Sequence, residues 1–250
     1  MADFNNYQNR AAQTGAQSGA MIDEGLRAYM LKVYNLMALG LAITGIAAFA
    51  TWQMAVADGQ LTPFGQLLFA SPLRWVVMLS PLAVVFFLSF RINKMSVSAA
   101  QATFWGYAAL MGLSLSSIFL VFTGQSIVQT FFVTAASFGA LSLYGYTTKR
   151  SLSAMGSFLI MGLFGIIIAS VVNIFVASSM LQFIVSVVGV LIFAGLTAYD
   201  TQRLKNDYIY GYASQGGDIA ERAAITGALS LYLNFINLFT LLLQLLGQKE

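Results

Sequence analysis

Apolar residues fall in seven long blocks separated by short polar breaks, at roughly residues 32–55, 73–91, 99–122, 126–147, 154–177, 180–200 and 223–246. Most blocks supply the ~20 residues with which an α-helix crosses a ~30 Å hydrocarbon core, so the pattern predicts seven transmembrane helices. Breaks as tight as Phe122 to Ser126 and Ala177 to Met180 make consecutive helices antiparallel neighbours. The expected fold is therefore all-α, a single bundle forming one membrane domain over residues 25–250. Residues 1–24 are rich in Asn, Gln, Gly and Ala and lack the apolar core of a signal peptide, so they are expected to form a disordered tail.

Local signals refine the blocks. Ser71-Pro72 reads as a cap followed by proline in the first turn of helix two, and Pro81 is expected to kink that helix in mid-span. Arg74 and Arg91 are separated by sixteen residues, a rise of ~24 Å, so one of them is expected to snorkel or be drawn inward. Small residues recur every fourth position at Ala108, Gly112 and Ser116 in helix three and at Gly165, Ala169 and Asn173 in helix five, which predicts close helix packing on those faces. Helix seven carries a polar stripe, Gly227, Ser230, Asn234, Asn237, Leu241 and Gln244, at alternating spacings of three and four. A stripe of this kind cannot face lipid; it is expected to be buried at the centre of the bundle, either hydrogen-bonded between helices or lining a wet cavity. On that reading Ser230→Leu and Asn237→Leu disturb the protein, whereas Leu231→Ala and Leu242→Ala, on other faces, matter less.

Composition identifies the solvent. With 58% hydrophobic and 8% charged residues, against ~25% charged in ordinary soluble chains, the protein is an integral membrane protein whose partner is the lipid bilayer. Ten of the twelve basic residues flank one set of helix ends: Arg10, Arg27, Lys32, Arg91, Lys94, Lys149, Arg150, Arg203, Lys205 and Arg222, leaving only Arg74 and Lys249 for the other. This bias places the N-terminus in the cytoplasm and, after seven crossings, the C-terminus outside. The chain has no His and no Cys, which removes thiolate nucleophiles, disulfides, His-based zinc sites and the Ser-His-Asp relay. No dense basic cluster with interleaved aromatics points to nucleic acid.

Asp200 is the one carboxylate in or beside a span, at the inner end of helix six and on one face with Gly189, Phe193 and Thr197. An intramembrane carboxylate needs a partner or water. Arg203, one turn along, and Arg91, from the same membrane side, are the candidate guanidinium partners. A single carboxylate does not make an aspartyl protease, and Lys205 and Lys249 both fall outside helix seven, where a retinal protein keeps its Schiff-base lysine. No catalytic residue is expected, nor any bound cofactor.

The run GLTAYDTQRLK, Gly195 to Lys205, together with ALSLYLNFINLFTLLLQLLG, Ala228 to Gly247, and YGYTTKRSLS, Tyr144 to Ser153, resembles the signature of the Bax inhibitor 1 family, in its bacterial YccA-like branch. The resemblance covers everything after the tail. It implies a seven-helix fold with helix seven in the middle, residence in the bacterial inner membrane, and a pH-sensitive calcium leak. In that picture an aspartate on helix six and one on helix seven share a proton and close the path, and an arginine of helix two pairs with the first. The first aspartate matches Asp200 and the arginine matches Arg91, but the second position is Asn234, a departure that removes the proton-sharing pair. The expected ion pathway or gate thus comprises Asp200, Asn234, Arg91, Asn237 and Ser230, with Arg203 as an ion-pair partner. Asp200 and Asn234 form a weak calcium site, because the amide ligates without adding charge. The expected function is a cation or calcium leak with weakened pH gating. The resemblance also implies an alternative, a regulatory partner of a membrane-anchored protease or of the translocon, gripped through the tail.

Overall fold

A computed structural model describes residues 2–213 and 217–249, and the side chains of these except for residues 2–20 and Asn93. The tail expected over residues 1–24 lies, through residue 20, outside the residues described at that level. Seven helices are long and apolar enough to cross a membrane, and they follow the predicted order: α1 (Ala2–Ala55), α2 (Leu73–Arg91), α3 (Val97–Leu115, continued by a tighter turn over Ser116–Leu120), α4 (Gly124–Thr147), α5 (Ser153–Val176), α6 (Ser179–Asp207) and α7 (Asp218–Leu246).

The turns show why the helices begin where they do. Ser96, Thr123 and Ser178 cap α3, α4 and α6, each hydroxyl accepting a first-turn backbone N–H. Ala177, in left-handed backbone at φ 51°, turns α5 into α6, while Asn173 Oδ1 accepts the Ser178 N–H at 3.0 Å. Ser71 Oγ accepts from Leu73 N–H at 3.1 Å, the expected cap of α2. Pro81 stands inside α2, which runs unbroken from Leu73 to Arg91. Arg74 lies against the Trp75 ring, 5.1 Å from its centre, so its charge rests on an aromatic face at the membrane boundary. Between α1 and α2 the chain forms a two-residue hairpin, β1 (Val56–Ala57) against β2 (Gln60–Leu61), turned by Asp58 and Gly59 with φ of 52° and 72°. Asp-Gly in left-handed backbone suits such a turn, a signal the hydropathy blocks pass over.

α7 occupies the centre, packed against α1, α3, α4 and α6, whereas α5 packs chiefly on α6 and α2 chiefly on α3. Tyr232 shows how the central helix is held. Its hydroxyl hydrogen-bonds Thr44 Oγ1 at 2.7 Å, and its ring meets Phe104 and Tyr107 edge-on. The centre is more enclosed than one polar stripe demands: Leu231 is fully buried and Leu242 half-buried. The expected tolerance of Leu231→Ala is therefore corrected, since a helix with neighbours on four sides buries its apolar faces too. Gly112 seats α3 on α1 as the spacing predicts, because a Cβ there would strike the Thr44 carbonyl oxygen and approach Ala47 Cβ to 2.7 Å. The helix-five stripe fares differently. Nothing lies within 4 Å of a Cβ built on Gly165, and it is Gly156 and Gly162 that let Tyr199 and Ile192 of α6 approach.

Contacts between distant segments close both ends of the bundle. Lys32 of α1 pairs with Glu221 of α7 at 2.6 Å. At the other end, Gln248 donates its N–H to Ser126 Oγ at 2.8 Å and accepts from Thr123 N–H at 3.0 Å, so the C-terminal residues lie against the α3–α4 turn.

Candidate functional site

Asp200 lies on α6 where that helix packs against α7, its residue 7% exposed. Its two oxygens are used separately: Oδ1 pairs with Arg203 Nη2 at 3.0 Å, and Oδ2 accepts from Asn234 Nδ2 at 2.8 Å. An ionised carboxylate only accepts, so Asn234 must turn its NH₂ toward it and its carbonyl oxygen away. The ion pairs among the described residues are this one and Lys32–Glu221. Arg91 closes α2 as an exposed residue and is not brought to the carboxylate; the arginine that reaches it is Arg203, one helical turn away on the same helix. The Arg203 guanidinium also sits 5.8 Å above the Tyr199 ring, and its side chain remains 40% exposed.

Two hollows flank Arg203. A cavity of about 740 Å³ lies among α2, α5, α6 and α7, and carries the polar positions Ser230, Asn234, Asn237 and Gln244 along one wall, with Asp200 and Arg203 at one end. From Ser230 to Gln244 this wall extends about 21 Å at 1.5 Å per residue. Ser186 Oγ donates to Gln244 Oε1 at 2.9 Å, tying α6 to α7 near the far end. A second hollow of about 580 Å³, a vestibule at the end of the bundle, is lined by Tyr29, Arg203, Asp207, Arg222 and Ser230 among others. Tyr29 Oη is buried there without a hydrogen-bond partner among the described residues. Arg203 and Ser230 line both hollows. Arg203 thus stands between the vestibule and the cavity, with Asp200 on the cavity side.

The structure brings Asp200, Asn234, Arg203, Asn237 and Ser230 to one cavity and leaves Arg91 out of its lining. The vestibule residues Tyr29, Asp207 and Arg222 are additions. Asp207 had a usable signal: Asp200, Arg203 and Asp207 follow the three-four spacing of a single helical face. Among the described residues no group of three His, Cys, Asp or Glu side chains could hold a metal ion. Any cation here would meet one carboxylate and neutral oxygens, a weak and exchangeable set.

Comparison with known proteins gives a consistent picture. The family model described as inhibitor of apoptosis-promoting Bax1 matches residues 26–250. A protein of Caulobacter vibrioides is 46% identical over 99% of this chain and 98% of its own. The protein RP147 of Rickettsia prowazekii is 44% identical over 95% and 96%, and the inner membrane protein YbhL of Escherichia coli is 45% identical over 90% and 94%.

Proposed function

The chain belongs to the Bax inhibitor 1 family of non-enzymatic, multi-pass inner-membrane proteins, and from that premise we propose that it is a calcium-permeable cation leak whose closed state is held by the Asp200–Arg203 pair. The observation that carries this reading is the meeting of vestibule and membrane cavity at Arg203. A cation coming from the vestibule faces the guanidinium first and is repelled; once that side chain swings aside, the cation finds Asp200 as its single charged ligand. Ser230, Asn237 and Gln244 then offer neutral oxygens along the cavity wall. Asn234 has to rotate its amide to present its oxygen, which costs its hydrogen bond to Asp200 and keeps calcium binding weak.

Proton gating is weak in this arrangement. The side chains that meet Asp200 are the Arg203 guanidinium and the Asn234 amide, and the chain contains no histidine. Flux therefore varies little between about pH 6 and 8.

Calcium uptake by proteoliposomes of the purified protein tests the gate. Arg203→Gln removes the blocking charge and raises uptake roughly tenfold, the factor that ~1.4 kcal/mol of ion-pair opening represents. Uptake unchanged by Arg203→Gln, in a variant that remains folded, contradicts the reading.

A further inference from the structure

The opposite flank of the bundle holds a cavity that the ion pathway does not use. It is a cleft of about 700 Å³ between α1 and α4, floored in part by Phe235 of α7. Its walls are almost wholly apolar, with Met37, Leu41 and Phe131 deep in the cleft and Tyr34, Tyr146 and Arg27 toward one end. From Arg27 to Leu41 the cleft follows α1 for about 21 Å at 1.5 Å per residue. One leaflet has that depth, about 15 Å of hydrocarbon and a further ~6 Å of headgroup region. Beyond Leu41, Phe131 and Phe235, which line both hollows, a smaller cavity of about 330 Å³ continues between α1, α3, α4 and α7 without a charged side chain.

The charge sits at one end only. Arg27 is exposed and forms no ion pair among the described residues, although Asp23 and Glu24 lie one turn back on the same helix. Lys205 of α6, outside the cleft lining, lies against Tyr146, which lines the cleft. It donates to the Tyr146 carbonyl oxygen at 2.8 Å and lies 5.2 Å from the centre of that ring. An apolar slot one leaflet deep, open between two membrane helices and with Arg27 as its one charged lining residue, complements one class of molecule in its surroundings.

We propose that the α1–α4 cleft binds one phospholipid with an anionic headgroup, its acyl chain along the cleft and its phosphate at Arg27. Gly139 makes the idea testable. It lines the cleft, and a Cβ there meets nothing within 4 Å, so a larger side chain branches from open space toward the path of the acyl chain.

The test is native mass spectrometry of the detergent-purified full chain, incubated with equal amounts of phosphatidylglycerol and phosphatidylethanolamine. The unmodified protein retains one phosphatidylglycerol in preference to phosphatidylethanolamine. Arg27→Gln lowers that preference about fivefold, the weight of one cation at an anionic headgroup, while Arg74→Gln at the opposite end of the bundle leaves it intact. Gly139→Leu abolishes retention of either lipid, with helix content and monodispersity unchanged. Equal retention of the two lipids by the unmodified protein overturns the proposal, as does undiminished retention in Gly139→Leu. A dimer that Gly139→Leu dissociates also overturns it, because the cleft is then filled by a second copy. Should Gly139→Leu not fold, an Arg27→Gln preference equal to that of the unmodified protein is sufficient to overturn it.

Discussion

Asp200 has one oxygen against a guanidinium and the other against an amide, and each partner makes a separate prediction. Asn234→Asp replaces the amide with a second carboxylate at hydrogen-bonding distance; two like charges so close share a proton, so this variant gains tighter calcium binding and a flux that changes between about pH 6 and 8, checked by isotope uptake across a pH series. A flat profile in Asn234→Asp removes Asn234 from the gate. Tyr232→Phe tests the centre of the bundle instead: losing the hydrogen bond to Thr44 costs about 0.6–1.7 kcal/mol, read as a lower unfolding temperature in detergent. At this scale the sequence was only half legible. Arg203 is read directly, since positions three apart on a helix are neighbours. Whether Arg91 also arrives depends on how α2 packs, and α2 packs chiefly on α3. Thr44 went unnoticed because one hydroxyl in an apolar helix leaves no periodic trace, yet it bonds Tyr232 and the Gly40 and Ala108 carbonyl oxygens.

Glycines set the spacing between helices, and they do so unequally. A Cβ on Gly145 would strike the Ala198 carbonyl oxygen, backbone that cannot yield, so Gly145→Ala forces α4 and α6 apart and destabilises the protein by about 1–3 kcal/mol. Gly165→Ala, with open space before it, leaves stability unchanged or slightly raised. Thermal unfolding of both variants followed by size-exclusion chromatography checks the contrast; equal losses contradict the assigned packing. The open space beside Gly165, in the Gly165, Ala169 and Asn173 stripe, follows from the same geometry. Small-residue spacing says that a face can pack, but α5 has a close neighbour chiefly in α6 and shows most of its surface to lipid. Helix ends were legible where a capping hydroxyl or a left-handed residue stops the chain. They were less so for α6, expected to end near residue 200, which continues to Asp207 because backbone hydrogen bonding does not stop where the hydrocarbon does.

The Lys32–Glu221 pair joins α1 to α7 at one end of the bundle, and the Ser126–Gln248 contact joins the residues after α7 to α4 at the other. With ten of twelve basic residues on the face that begins α1, a reporter fused after Glu250 is active only on the outer side. Activity in the cytoplasm contradicts that orientation. The polar stripe of α7 marks the cavity wall rather than the covered core, for Gln244 is exposed while Leu231 and Leu238 are buried; the membrane architecture was legible because hydropathy reports the solvent of each segment directly. The two hollows were not, since Tyr29, Asp207 and Arg222 come from three helices and meet only once these pack. On the proposed pathway cations cross by way of Asp200, beside the Arg203 side chain that lines both hollows. Calcium uptake into proteoliposomes at pH values from about 6 to 8, comparing the unmodified protein, Asp200→Asn and protein-free vesicles, tests it most directly. The expected uptake exceeds the protein-free level, changes little with pH, and falls to that level in Asp200→Asn. Strong pH gating that survives Asp200→Asn, or uptake no greater than in empty vesicles, would contradict it.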